Sequence, residues 1–230
     1  MKKKKINIHG IPAIIWGEKS EKVYIHVHGK MSCKEYAETF AKIASNKGYQ
    51  TISFDLPEHG ERKTEAARCD VWNGIKDLNT IADYVFDNWK IVSLFACSLG
   101  AYFSLQTYQA RHFEKCLFQS PIVNMKFLVD NMMMWSHVTE EMLAEQGEIY
   151  TDIDNLRWDY YCYIKEHPVT KWNFKTSILY GVLDNLQSIE CLSDFSKQFN
   201  ASLTVAKESQ HAFMEEKDFS IVDEWLKKEI

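Results

Sequence analysis

Residues Ile91–Phe103, IVSLFACSLGAYF, constrain the fold of this chain more than any other stretch. Ile91, Val92, Leu94 and Phe95 form an apolar, partly β-branched run that reads as a buried strand. The run passes through Ala96-Cys97-Ser98-Leu99-Gly100 into Ala101, Tyr102, Phe103, Leu105 and Tyr108, whose spacing is helical. A strand that turns this sharply into a helix presses the residues two before and two after the apex against neighbouring backbone, so both must be small. For Ser98 those flanks are Ala96 and Gly100, whereas for Cys97 they would be Phe95 and Leu99. The turn therefore puts Ser98 at its apex and Cys97 beside it. A serine N-cap at a strand-to-helix junction leaves the same local trace, so the motif needs partners elsewhere in the chain.

The surrounding pattern supplies an architecture. Further strands are expected at Lys5 to Ile8, Ala13 to Trp16, Val23 to Val27, Thr51 to Phe54, Lys115 to Gln119, Ser177 to Tyr180 and Ser202 to Ala206. Helices are expected over about Cys33 to Asn46, with Tyr36, Phe40, Ile43 and Ala44 on one face, and over Val71 to Trp89, Ser188 to Gln198 and Phe219 to Lys228. Strands that alternate with helices pair in parallel through crossovers, which predicts an α/β fold with a doubly wound, mostly parallel sheet. Ligands of such sheets bind at the carboxyl ends of the strands. His28, Asp55, Ser98, Ser120 and Asp184 each fall at or just past an expected strand end, so they should gather along one edge.

Pro121 to Trp172 breaks the alternation. Its methionines and aromatics, among them Met125, Met132, Met133, Met134, Trp135, Trp158 and Tyr161, show no strand-like spacing. The expectation is a helical cap over residues 121–172, set into a core formed by 1–120 and 173–230. Flexible thioethers and aromatic rings suit an adaptable apolar pocket, with Met134, Trp135 and His28 as candidate lining, or plain packing between cap and core.

Composition removes several classes of function. The chain has 230 residues, 46% hydrophobic and 26% charged, with a formal net charge of -5. That balance offers no surface for nucleic acid. Lys2 to Lys5 form a short basic run, but Ile6, Asn7 and Ile8 follow instead of a long apolar segment, so neither a signal peptide nor a membrane span is expected and a cytoplasmic location is. The six cysteines are scattered with no C-x-x-C pair, and read as buried small apolar residues in a reducing compartment. His26 and His28 share a strand face, yet no third ligand has matching spacing, so no metal site is expected.

Several motifs, in order, carry a family resemblance. They are His28-Gly29 after the third strand, Asp55-Leu56-Pro57-Glu58-His59-Gly60 after the fourth, the Ser98 turn, Gly181-Val182-Leu183-Asp184 after Ser177 to Tyr180, and His211 between the last strand and the last helix. Together they resemble the α/β-hydrolase superfamily, in its small, capped, esterase- and lipase-like members. The turn resembles the nucleophile elbow of that fold, with Ala96 where the family pattern has glycine. A serine hydroxyl needs a base, a carboxylate to hold that base, and N–H donors for the oxyanion. The resemblance implies Ser98 as nucleophile, Asp184 as acid and His211 as base, in the family's chain order. Alone, Asp184 also reads as a turn or N-cap aspartate and His211 as a loop histidine.

The resemblance further implies an oxyanion hole from the backbone N–H groups of Lys30 and Leu99; lysine is less usual at that turn than a small or apolar residue, and its side chain is expected toward solvent, the alternative being attraction of an anionic substrate group. Asp55 and His59 would shape the neighbouring loop. It implies a serine hydrolase acting on carboxylic esters, with no cofactor and a small-molecule substrate. A thioesterase, a peptidase or a non-catalytic binding protein on the same fold stays open. Ser98 excludes the dehalogenase type, which needs aspartate at the apex. The apolar cap also leaves room for a homodimer.

Overall fold

The computed structural model describes residues Met1–Ile230. The first strands are β1 (Lys3–Ile8) and β2 (Ile11–Trp16), joined by the two-residue turn His9-Gly10. Both turn residues have positive φ, 49° and 95°, the conformation whose twist matches a tight hairpin. There follow β3 (Lys22–Val27), a 3-10 turn at Lys34–Ala37, α1 (Glu38–Asn46), β4 (Gln50–Phe54), α2 (Val71–Asn88), β5 (Ile91–Cys97), α3 (Leu99–Thr107) and β6 (Cys116–Gln119). The segment after β6 holds α4 (Met125–Trp135), α5 (Glu140–Gln146), β7 (Glu148–Tyr150), β8 (Asn155–Arg157) and α6 (Trp158–Glu166). The chain closes with β9 (Thr176–Gly181), α7 (Ile189–Phe199), β10 (Ser202–Ala206) and α8 (Glu216–Glu229).

Eight strands form one sheet in the order β1-β2-β4-β3-β5-β6-β9-β10. Only β1–β2 and β2–β4 pair antiparallel; the other neighbours are parallel, as crossovers through helices require. The two-residue period of a strand sorts the core onto two faces. Val23, Ile25 and Val27 of β3, with Val92, Leu94 and Ala96 of β5, join the larger core beneath α2, α3 and α7. Tyr24 and Phe95 point the other way, into a smaller core with Phe40, Ile43 and Ala44 of α1 and Trp225 and Leu226 of α8. No helix is long and apolar enough to cross a membrane.

Three expectations change. The segment after β6 is not purely helical, because β7 and β8 pair as an antiparallel hairpin. Each strand has three residues, too few to show alternation. Gly147, at φ 76°, ends α5, and the Thr151 hydroxyl closes the hairpin tip by donating to the Asp154 carbonyl at 2.6 Å. The helix expected from Cys33 opens as the 3-10 turn, which rotates Tyr36 off the buried face and leaves it 72% exposed. Among the cysteines only Cys116 is buried over the whole residue; the other five keep part of their surface exposed, and all six are free thiols.

Candidate active site

β5 delivers the apex of the turn. Ser98 sits at φ 50°, ψ −123°, a positive φ that a non-glycine residue rarely adopts. The strain is held by surrounding bonds: Ser98 N–H donates to Gln119 O at 3.3 Å, and Ser98 O accepts from the N–H groups of Ala101 at 3.0 Å and Ile122 at 3.3 Å. The small flanks have direct causes. Ala96 is fully buried, and a Cβ on Gly100 would lie 2.3 Å from His28 O and 2.8 Å from Val27 O. Cys97 sits with its Sγ 3.9 Å from Val27 O, and burial pushes its thiol up to about 11, so it stays protonated near neutral pH.

Asp184 follows β9 and His211 follows β10. The His211 ring bridges them to the apex: Nδ1 lies 2.6 Å from Asp184 Oδ2, and Nε2 lies 2.8 Å from Ser98 Oγ. The Asp184 carboxylate is out of solvent, and its other oxygen accepts from the Leu186 N–H at 2.8 Å and the Gln187 N–H at 3.3 Å. Those bonds fix which oxygen faces the ring. The β9–β10 edge is tight enough that a Cβ on Gly181 would meet Ser209 O at 2.3 Å. Ser120 is a support that the strand-end argument placed without a role. Its hydroxyl donates to His211 O at 2.6 Å and ties the histidine loop to the end of β6.

The turn after β3 lies against the apex, since a Cβ on Gly29 would come within 2.9 Å of Ser98 Cβ. Neither the Lys30 N–H nor the Leu99 N–H donates to another backbone group. Leu99 opens α3, so the dipole of that helix adds positive potential at the same point. His28 is buried beneath the turn, with Nδ1 2.7 Å from Gly29 O and Nε2 accepting from the Leu56 N–H at 3.0 Å. Burial pushes its pKa down to about 4, so the ring is neutral. Asp55 is fully buried and ion-paired with Lys34 Nζ at 2.5 Å, while also accepting from the Lys34 and Glu61 N–H groups.

A groove of about 930 Å³ opens over Ser98. Its apolar lining includes Leu99, Ile122, Met125, Leu128, Val129, Met132 and Leu186. Its charged lining includes Lys30, Glu58, Arg68, Asp70, Asp154 and Arg157. The pocket expectations need correction. His28 is too deeply buried to line the groove, and Met134 and Trp135 are 63% and 38% exposed and also absent from its walls. Helix α4 instead presents Met125, Leu128, Val129 and Met132, which lie three, one and three residues apart and so share a face. The Lys30 side chain is not simply solvated: it is ion-paired with Asp154 at the tip of the β7–β8 hairpin. Two further ion pairs join that hairpin to the loop before α2, Arg157–Asp70 at 3.0 Å and Arg68–Glu148 at 2.9 Å.

The strand order, the crossovers and the turn at the end of β5 define an α/β-hydrolase fold, and solved structures agree. Est1E from Butyrivibrio proteoclasticus superposes with a TM-score of 0.79 at 16% identity, over 99% of this chain and 97% of that one; it has also been solved with ferulic acid bound. Alpha/beta hydrolase domain-containing protein 10 from mouse gives 0.77 at 16% identity, over 99% and 98%. A monoacylglycerol lipase from Paleococcus ferrophilus gives 0.67 at 15% identity, over 99% of each chain. No protein-family model and no curated relative matches the sequence.

Proposed function

We propose that this chain is a serine hydrolase that cleaves a carboxylic ester through an acyl-enzyme intermediate. The observation that carries the reading is the unbroken hydrogen-bonded line Asp184–His211–Ser98, at 2.6 and 2.8 Å. In this reading Ser98 Oγ attacks the acyl carbonyl as His211 Nε2 takes its proton. Asp184 keeps the ring oriented and balances its charge. The N–H groups of Lys30 and Leu99 bind the oxyanion, His211 returns the proton to the leaving alcohol, and water releases the acyl group by the same steps.

The apolar residues that line the groove support an acyl group that is aliphatic or aromatic, and its charged residues support a polar alcohol portion. The ferulic acid held by Est1E is consistent with an acyl group of that kind. The same machinery would serve a thioester or amide, and the reading invokes a cytoplasmic location and no cofactor. The cap, residues 121–172, would set substrate choice, and the exposed Met134 and Trp135 are where a homodimer would be sought.

The test is turnover of p-nitrophenyl esters from acetate to decanoate, with fluorophosphonate labelling in parallel. The wild type should hydrolyse the esters and label at Ser98, and Ser98→Ala should do neither. A folded wild type that never labels would make the chain a binding protein, and full activity in Ser98→Ala would end the mechanism.

A further inference from the structure

The turn that carries Lys30 has no regular secondary structure to hold it, yet the proposed oxyanion hole needs its N–H fixed to within a fraction of an ångström. Its geometry is also unfavourable. Met31, the next residue, has φ 61°, in the left-handed region that costs a non-glycine residue about 1 kcal/mol or more. Something must hold that conformation.

Two imidazoles do so reciprocally. His28, in the turn, accepts from the Leu56 N–H of the loop after β4 at 3.0 Å. His59, in that loop, accepts from the Met31 N–H of the turn through Nε2, also at 3.0 Å. The far nitrogen of each ring is anchored on its own segment. His28 Nδ1 lies 2.7 Å from Gly29 O and His59 Nδ1 lies 2.7 Å from Pro57 O. The bonding sets the tautomer of both rings, since an Nε2 that accepts from an amide leaves the proton on Nδ1. The ring centroids are 5.1 Å apart, and both residues are more than nine-tenths buried. The two segments are thus cross-braced, with every ring nitrogen in use, and the Lys30 N–H left uncommitted between them.

We propose that His59 is a positioning residue of the oxyanion hole, acting through the Met31 N–H to hold Lys30 toward Ser98. The inference rests on the serine-hydrolase reading. His59 also borders the groove, so its effect must be separated from substrate contact.

Two amides divide the ring's roles. In His59→Asn the amide can replace Nδ1 toward Pro57 O but does not reach Met31. In His59→Gln the longer amide can place its oxygen where Nε2 stood and accept from the Met31 N–H. Both are assayed for kcat and KM on p-nitrophenyl butyrate and for the rate of fluorophosphonate labelling, with thermal melts to confirm folding. Loss of a whole oxyanion donor costs about 100- to 1000-fold in kcat. A displaced donor should cost His59→Asn about 10- to 100-fold in kcat and in labelling rate, with KM within about twofold, and His59→Gln should recover most of that loss.

Equal kcat in wild type and a folded His59→Asn would overturn the proposal. So would a change confined to KM, or a folded His59→Gln as slow as His59→Asn. If His59→Asn does not fold, His59→Gln still decides, because a tenfold loss in that folded variant contradicts the acceptor role. A wild type that neither turns over esters nor labels would remove the hydrolase reading and this inference with it. A labelling wild type with unaffected variants would remove the inference alone.

Discussion

Acid stability gives a test that does not depend on the reaction. His26 is buried in the smaller core, its ring stacked on Phe95 at 4.7 Å and 5.4 Å from Phe40, with Nδ1 lacking any hydrogen-bond partner. Burial, and then the neighbouring His28, push its pKa down to about 3 from an ordinary 6.5. Between those values the unfolded chain binds a proton that the folded chain refuses. Unfolding therefore becomes easier as pH falls through 6.5, and the loss levels off only near 3. At pH 5 the cost is about 1.5 pH units at 1.36 kcal/mol each, or about 2 kcal/mol. His28, pushed down to about 4, adds a similar ~2 kcal/mol over much of the same range.

His26→Leu should keep the packing, remove the unpartnered nitrogen and delete one of these two contributions. Urea unfolding followed by tryptophan fluorescence at pH 7.5 and 5.0 measures it. With a urea m-value of about 3 kcal/mol/M for a chain of this size, the acid-induced fall in midpoint should shrink by about 0.7 M in the variant. Carboxylates titrate alike in both proteins and cancel. An equal fall in wild type and variant would refute the argument that His26 is held neutral by burial.

Other perturbations test other parts. Gly100→Ala drives a Cβ into His28 O and Val27 O, so it should cost about 1–3 kcal/mol in thermal or urea unfolding and abolish ester turnover. Lys34→Met strands the buried Asp55 carboxylate and should destabilise by about 3–5 kcal/mol, read from the same unfolding curves. Met132→Trp should depress kcat/KM for octanoate about tenfold or more relative to acetate by filling space along the apolar lining, whereas Met134→Ala and Trp135→Ala should leave the chain-length profile unchanged. The Lys30–Asp154 pair is about half exposed, so Asp154→Asn should change KM at low ionic strength and match the wild type by about 0.5 M salt, where such a pair is screened.

Much of the frame is legible in the sequence. Alternating strand and helix periods determined the parallel sheet, because a strand that returns parallel must cross over through a helix. The sizes of Ala96 and Gly100 selected Ser98 over Cys97 as the apex, because the turn leaves no room for Phe95 or Leu99 in those places. The strand ends identified which side chains share an edge. What periodicity describes, though, is each element's own face. It does not say how that element docks, so it could not choose between Met134 and Met132 on α4, nor find a hairpin of three-residue strands.

The short distances belong to the tertiary structure alone. His211 meets Asp184 across 27 residues of sequence and Ser98 across 113, and His59 reaches Met31 across 28. Lys30 finds Asp154 across 124. No local pattern encodes such a contact, because each depends on two loops being carried to one point by the sheet between them. The chain's own chemistry determined which groups stand at the strand ends; only the packing of the sheet, its helices and the segment after β6 decided which of them touch.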